Sequence, residues 1–179
     1  MGQSATLYRI STQDFSKVID NPDDFALFKI KKSYETFEKT HEGLRFVLSK
    51  GQEENAAELV GQVFYPKAFV GEKIDYSKLE FDNLPDDIDL LKEPIYYNEP
   101  TVVSAISTLL DNITIDHFQK SFDSDELNEE GIYPYRVWNT RTEPDYAFNV
   151  NDMKKEFLRL KEFYKLASED RDYILSYVG

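Results

Sequence analysis

The sequence predicts an α/β (α+β) fold in which a mixed β-sheet, containing strands from both ends of the chain, packs with several helices. Residues 6–10 alternate polar and apolar side chains, which is typical of a strand. Residues 172–179 are rich in side chains that favour strands. The chain between them repeatedly carries apolar residues at helical spacing. Its 179 residues, 41% of them hydrophobic, are enough for a single domain spanning 1–179.

The first helix is predicted to follow the opening strand directly. Ser11 or Thr12 supplies an N-cap, and the Asn-Pro pair at 21–22 ends the helix. Its inner face is predicted to contain Phe15, Val18 and Ile19. A second, shorter helix is predicted after residue 24, and it carries Phe25, Leu27 and Phe28.

A longer helix is predicted to begin at Ser33, because apolar residues then recur at helical spacing. That stripe consists of Tyr34, Phe37, His41, Leu44 and Leu48. We interpret His41 as a half-buried structural histidine with one hydrogen bond, and a base or ligand is the alternative. Gly43 weakens a helix, which indicates close packing against another backbone.

The middle of the chain gives weaker signals. Residues 58–65 form either a strand or a short helix, because their periodicity fits both. Residues 66–71 are predicted to be a turn or loop, and residues 75–99 a longer loop in which 95–97 are a short strand or an anchor.

Four further helices are predicted in the second half of the chain. Pro suits a first turn, and Thr, Ser, Asp and Asn suit an N-cap. The predicted first residues are, in order, Pro100, Thr114, Asp123 or Ser124, and Asn149 or Asn151. Gly131 ends the third of these helices. The last helix is predicted to bury Met153, Phe157, Leu160, Tyr164 and Ala167.

The segment 132–149 is an aromatic-rich loop that contains the only tryptophan of the chain. Loops of this composition present side chains to partners, or they fold back to fill a core. In the second interpretation Gly131 caps a helix, Pro134 stiffens the loop and Trp138 is a core plug. The candidate binding residues are Asn128, Tyr133, Arg136, Trp138 and Asn139, together with His41 and Arg45 on the helix predicted to begin at Ser33.

Charge and composition exclude several classes of function. The formal net charge is −13, so binding to nucleic acid or to an anionic membrane surface is disfavoured. The absence of cysteine excludes thiolate chemistry, and two histidines disfavour a His-rich metal site, so no cofactor is predicted. No Gly-x-Ser-x-Gly motif is present, and we predict no catalytic residues. The N-terminus lacks the features of a signal peptide, which favours a cytoplasmic location.

Acidity instead favours a basic protein partner. Two segments concentrate the negative charge. Residues 80–93 contain six acids against one lysine, and residues 114–131 repeat that balance. The default interpretation of such segments is a solvated surface.

Several short pieces resemble the YfbM-like family of bacterial domains of unknown function, also called domain of unknown function 1877. The pieces are Ile-Tyr-Pro at 132–134, Leu-Asn at 127–128, Trp-Asn at 138–139, Asp-Met at 152–153, Val-Phe-Tyr-Pro at 63–66, Gly-Glu at 71–72 and the terminal strands. The resemblance implies a compact α/β domain in the bacterial cytoplasm, with no established activity. In relatives, the helix at 38–49 often carries a Trp followed four residues later by a His. The corresponding residues here are His41 and Arg45.

Two functional hypotheses follow. The first is a protein-binding module, for example an immunity-type protein that holds a toxin in check, which uses the acidic surface and the aromatic loop. The alternative is a small-molecule-binding protein or enzyme, with a pocket between the aromatic loop and the helix carrying His41 and Arg45.

Overall fold

The computed structural model describes residues 2–22, 26–73 and 93–179. Its strands are β1 Ser4–Ile10, β2 Lys31–Glu38, β3 Ala68–Val70, β4 Ile95–Asn98 and β5 Tyr173–Val178. Its helices are α1 Thr12–Asp20, α2 Leu27–Ile30, α3 His41–Ser49, α4 Glu54–Gln62, α5 Pro100–Asn112, α6 Ile115–Ser121, α7 Ser124–Glu129 and α8 Val150–Glu169.

The five strands form one sheet in the order β2-β1-β5-β4-β3. The two terminal strands are neighbours, with Ala5 opposite Val178 and Ile10 opposite Tyr173. The predicted α/β (α+β) class and the presence of both terminal strands in the sheet are confirmed. The described pairs are all antiparallel, so the predicted mixture of directions is wrong. Local composition indicates which residues form strands. Whether two strands run parallel or antiparallel depends on the path that the chain takes between them, and composition does not show that path.

Buried charges fix the terminal strands to each other. Arg9 on β1 donates to the Asp172 carboxylate through Nε at 3.2 Å and through its terminal nitrogen at 2.9 Å. Lys32 Nζ donates to the same carboxylate at 2.6 Å. Asp172 is fully buried, and its two cationic partners offset the free energy of removing its charge from water.

Helix α1 covers part of one face of the sheet. Ser11 is its N-cap and accepts a hydrogen bond from the Asp14 amide, as predicted. Phe15 and Val18 are buried in a cluster with Leu175. Ile19 is 53% exposed, so its predicted inward position is wrong. Successive helix residues point about 100° apart, and the packed side of α1 is too narrow to include both 18 and 19.

The predicted helix from Ser33 is wrong in its first half. Residues 31–38 form the edge strand β2, which pairs with β1 along most of its length. Tyr34 and Phe37 fall at helical spacing, but they lie on opposite faces of the sheet. Tyr34 is exposed, whereas Phe37 is fully buried. Pairing with the distant strand β1 overrides a pattern that is locally compatible with a helix.

The other uncertain segments are resolved as follows. Most of 58–65 belongs to helix α4, which ends at Gln62. Residues 66–71 contain the short strand β3, which the predicted loop omitted. Strand β4 includes 95–97 and so confirms the strand alternative there. Phe25 and all of 75–92 lie outside the described residues.

The N-terminal positions of the later helices are confirmed. Thr114, Asp123 and Asn149 accept hydrogen bonds from amides of the first turn that follows, and Pro100 occupies the first turn of α5. Helix α8 buries all five predicted residues and packs mainly on α5. Within the described ranges, no helix combines the length and apolarity required to cross a membrane.

Candidate functional site

Trp138 lies in the core and is 4% exposed. Its indole Nε1 donates to the carbonyl oxygen of Ile132 at 2.9 Å. Its backbone amide donates to Asn128 Oδ1 at 3.1 Å, and its carbonyl accepts from Asn128 Nδ2 at 2.9 Å. The Asn128 side chain thus holds the loop as a neighbouring strand would, and every polar atom of Trp138 is paired. This is the core-plug arrangement.

Gly43 on α3 provides the space for the indole ring. A Cβ atom at this position would lie 2.2 Å from Trp138 Cη2. The prediction of close packing at Gly43 is therefore correct, but the neighbour is a side chain rather than a backbone. Phe122 and Phe148 meet the same indole edge-on, with ring centroids 6.4 and 5.7 Å away. Helix α3 and the loop are consequently joined at one tightly packed point.

Three consecutive residues before Trp138 face solvent, and we refer to Tyr135, Arg136 and Val137 as the tip. Tyr135 is 65% exposed and Val137 is 40% exposed. Arg136 is also exposed, and its φ of 61° lies in the left-handed region, which costs a non-glycine residue about 1–2 kcal/mol. The loop therefore presents an aromatic, a cationic and an aliphatic side chain in a row.

Tyr133 anchors the other side of the tip. Its hydroxyl accepts a hydrogen bond from the Gln3 amide at 2.8 Å. Its ring meets that of Tyr135 edge-on, with centroids 5.6 Å apart. The peptide bond between Tyr133 and Pro134 is cis. The tip is thus held between Tyr133, which is fixed to the N-terminal segment, and Trp138, which is fixed to the core.

His41 begins helix α3 and is 0% exposed, so the predicted half-buried position is wrong. Neither ring nitrogen makes a hydrogen bond of ordinary geometry to a described residue, and the same holds for the buried hydroxyl of Thr40. The Phe37 backbone lies close enough to favour the protonated imidazole and so opposes part of the effect of burial on the pKa of His41. Three aromatic rings surround the imidazole, those of Phe64, Tyr65 and Tyr133, with centroids 5.9, 6.4 and 6.3 Å away. Burial lowers the pKa of His41 from its ordinary value, which favours the neutral imidazole at neutral pH.

Glu42 is the centre of the polar contacts beside His41. Its Oε2 atom accepts hydrogen bonds from Arg45 Nε at 3.0 Å and from a terminal nitrogen of Arg45 at 2.7 Å. Its Oε1 atom accepts from the Tyr65 hydroxyl and lies 3.9 Å from His41 Nε2. Burial, followed by the bond to Glu42, raises the pKa of Tyr65, so its phenol stays protonated.

The structure divides the residues predicted to bind into four groups. Arg45 and Tyr133 lie near the buried imidazole of His41, while Asn128 and Trp138 form the anchor. Arg136 is exposed on the tip. Asn139 lines a separate cavity of about 260 Å³, together with Gln119, Phe122, Asp123, Ser124, Thr140 and Val150.

Two residues next to His41 were missing from the predicted set. Glu42 follows His41 directly, and the Thr-His-Glu sequence is a signal that could have drawn attention to it. Tyr65 lies 23 residues away from Glu42. Nothing local in the sequence predicts that contact, because it depends on how α4 packs on α3.

Of the two predicted acidic segments, the described residues include the whole of the second one, and most of its acids are exposed. Asp116, Asp123, Asp125, Glu129 and Glu130 are exposed, while Glu126 pairs with Lys50. Glu129 and Glu130 stand immediately before the loop. The other acidic segment lies outside the described residues except for Glu93. No cluster of three or more His, Asp and Glu side chains in the described part of the chain could hold a metal ion.

Comparison with known proteins identifies the family. The family described as "Domain of unknown function (DUF1877)" matches residues 1–177, so the chain belongs to it. The fold is similar to that of a protein of unknown function, YfbM from Escherichia coli, with a TM-score of 0.63. The two chains share 12% identity, and the match covers 98% of this chain and 99% of that one. A comparison with curated proteins finds no significant match.

Proposed function

We propose that this member of the DUF1877 family is a protein-binding module whose contact surface is the tip together with the acidic end of α7. The observation that carries the proposal is a run of three exposed side chains, Tyr135, Arg136 and Val137, fixed on both sides. Tyrosine and arginine are enriched among the residues that dominate binding energy at protein interfaces.

The anchoring of the tip supports this proposal because disorder opposes binding. A flexible loop loses conformational entropy when it docks, at about 0.5–1.5 kcal/mol for each side chain that becomes fixed. Trp138 and Tyr133 already hold the backbone on either side of the tip. Its residues would therefore meet a partner in a largely prearranged conformation.

The charge near the tip favours a basic partner. Glu129 and Glu130 are exposed just before the loop, and the whole chain carries a formal charge of −13. Such a field speeds association with a positively charged surface and suppresses binding to acidic proteins. A basic toxin held in check by an immunity-type protein would be one partner of this kind.

The experiment is affinity capture from the source cells, followed by binding measurements with the purified partner. We expect Tyr135→Ala to weaken binding at least about tenfold, as for an interface residue of dominant energy. Glu129→Gln combined with Glu130→Gln should slow association and reduce its dependence on salt. The matched controls are Tyr34→Ala, at an exposed position of β2, and the adjacent exposed pair Glu53→Gln and Glu54→Gln.

Two results would contradict the proposal. One is a captured partner that binds wild type, tip variant and controls equally well. The other is repeated capture, at low salt, that recovers nothing beyond what a tip variant recovers.

A small-molecule site or enzyme centre at His41 and Arg45 is the second candidate. The observation that favours it is the group of three buried, unpartnered polar atoms on Thr40 and His41. The complete burial of His41 counts against it, because a ligand could reach the imidazole only after Tyr65 or Tyr133 moved. A thermal-shift screen with small carboxylates and phosphates, repeated on Arg45→Ala, tests this candidate.

A further inference from the structure

One oxygen atom of Glu42 lies near two side chains that can donate a hydrogen bond to it, those of Tyr65 and His41. Glu42 Oε1 accepts a hydrogen bond from the Tyr65 hydroxyl, and the same oxygen lies 3.9 Å from His41 Nε2. A charge-assisted hydrogen bond has a length of about 2.7–2.9 Å. A shift of about 1 Å would therefore let His41 bind this oxygen directly.

In the structure the Glu42 carboxylate stays with Arg45 and Tyr65 and does not bond to His41. Glu42 already has two partners, since Arg45 donates to Oε2 and Tyr65 donates to Oε1. His41 remains without a hydrogen bond, which for a buried polar group is unfavourable. The arrangement is thus satisfied at Glu42 and unsatisfied at His41.

Proton uptake reverses this balance. A buried imidazolium needs a counter-charge, and the Glu42 carboxylate is the acid within reach among the described neighbours. The charged and titratable groups around the imidazole are Glu42 and Arg45 on α3, Tyr65 after α4, and Tyr133 on the loop. Lys39, at the turn before α3, lies instead against Gly2.

We propose that protonated His41 draws Glu42 Oε1 toward Nε2 and away from the Tyr65 hydroxyl, so that protonation of His41 releases the Tyr65 side chain and changes the surface beside the tip. One proton moves from solvent to the imidazole, and the phenol keeps its own proton throughout. Arg45 retains Oε2 in both states. The device needs only a side-chain exchange, because Tyr65 is 41% exposed and has solvent to move into.

The exchange would reach the tip through Tyr133. Both Tyr65 and Tyr133 pack on the imidazole, and Tyr133 supports Tyr135. If the proposed function is right, partner binding weakens in mild acid. That consequence rests on the proposed function, whereas the exchange itself does not and can be measured on the chain alone.

The test uses the two histidines as separate NMR probes. The imidazole signals of His41 and exposed His117 are assigned with His41→Leu and His117→Gln and are followed from pH 8 to 4.5 on full-length protein. We expect the His41 signal to titrate with a midpoint below about pH 6.5, the value of a free histidine. The ring signals of Tyr65, assigned with Tyr65→Phe, should change with the same midpoint.

Two variants isolate the competition. Glu42→Gln keeps an acceptor for Tyr65 but offers no counter-charge, so the pH response of Tyr65 should disappear and the midpoint of His41 should fall. Tyr65→Phe removes the competitor, so the midpoint of His41 should rise. The proposal is overturned if His41 titrates while Tyr65 stays unchanged, if Tyr65 still responds in Glu42→Gln, or if His41 takes up no proton before the protein unfolds.

Failure of these results and failure of the proposed function are distinguishable. The NMR titration involves no partner and reads only the exchange. If the Tyr65 ring signals do not change with pH while partner binding is intact, the exchange is refuted and the proposed protein-binding function is unaffected.

Discussion

Trp138 and His41 are two buried aromatic side chains with ring nitrogens, and both are close to helix α3. Trp138 fits against Gly43 and donates its indole hydrogen to the Ile132 carbonyl. His41 stands at the start of the same helix with neither nitrogen paired. Burial alone therefore does not distinguish a structural side chain from one whose polar atoms are still free to form a hydrogen bond or take up a proton.

The difference lies in how the polar atoms are satisfied. A buried donor that is paired stabilises one arrangement and resists change, as the Trp138 anchor does. A buried group left unpaired stays responsive to a proton or to a new neighbour, because forming a bond would lower its free energy. The anchor explains how the loop is held, and His41 explains how the adjoining surface could change.

Removing the indole is the most severe way to test the anchor. We expect Trp138→Ala to destabilise the protein by about 3–5 kcal/mol, because it leaves a large cavity and an unpaired carbonyl at Ile132. Urea unfolding followed by circular dichroism measures this change. Trp138→Phe is the control, since it keeps an aromatic ring and loses the hydrogen bond, and it should be less harmful. If Trp138→Ala lowers the free energy of unfolding by less than about 1 kcal/mol, Trp138 does not stabilise the fold in the way proposed.

Filling the space under the indole is the next largest perturbation. Alanine normally stabilises a helix by about 1 kcal/mol relative to glycine. At Gly43 the new methyl group would lie 2.2 Å from the indole, so Gly43→Ala should destabilise by about 1–3 kcal/mol. Gly61 on α4 has no atom within 4 Å of an added Cβ, and Gly61→Ala is the matched control. Equal and favourable effects at both positions would refute the close contact.

The polar clamp of the anchor gives a smaller effect. Asn128→Ala leaves the amide and carbonyl of Trp138 without partners, at about 1–3 kcal/mol in total. Exposed Asn55 on α4 is the control, and its alanine variant should be neutral within about 0.5 kcal/mol. If thermal unfolding midpoints of the two variants coincide, the loop is held by the indole alone.

The sequence predicted more of the anchor than of the His41 surroundings. Caps such as Thr114 and Asn149 are local signals, and short motifs such as Ile-Tyr-Pro kept the family resemblance visible. The strand β2 was missed because its pairing with β1 is a distant interaction. The contact between Glu42 and Tyr65 was missed for the same reason, since each side chain lies on a different helix or its extension.

Removing the titration of His41 should alter the pH dependence of stability. Burial lowers the folded-state pKa of His41, so the unfolded state takes up the proton first as pH falls. His41 therefore lowers stability below about pH 6.5 and not above it, by up to about 1.4 kcal/mol per pH unit. His41→Leu has similar volume and should show a smaller decrease between pH 7 and 5. Parallel curves for His41→Leu and wild type in urea unfolding would contradict this prediction, and His117→Gln controls for the second histidine.

The smallest expected change in stability is at the tip, which is where the comparison is most informative. Tyr135 contributes little to the core because it is 65% exposed, so Tyr135→Ala should change stability by no more than about 0.5 kcal/mol. A residue that hardly supports the fold yet is held in place by Trp138 and Tyr133 has its side chain available for a partner. Differential scanning calorimetry measures the stability of the variant, and a binding assay with the captured partner measures its affinity. A large loss of stability would mean that Tyr135 belongs to the anchor, in which case its effect on binding could no longer be assigned to direct contact.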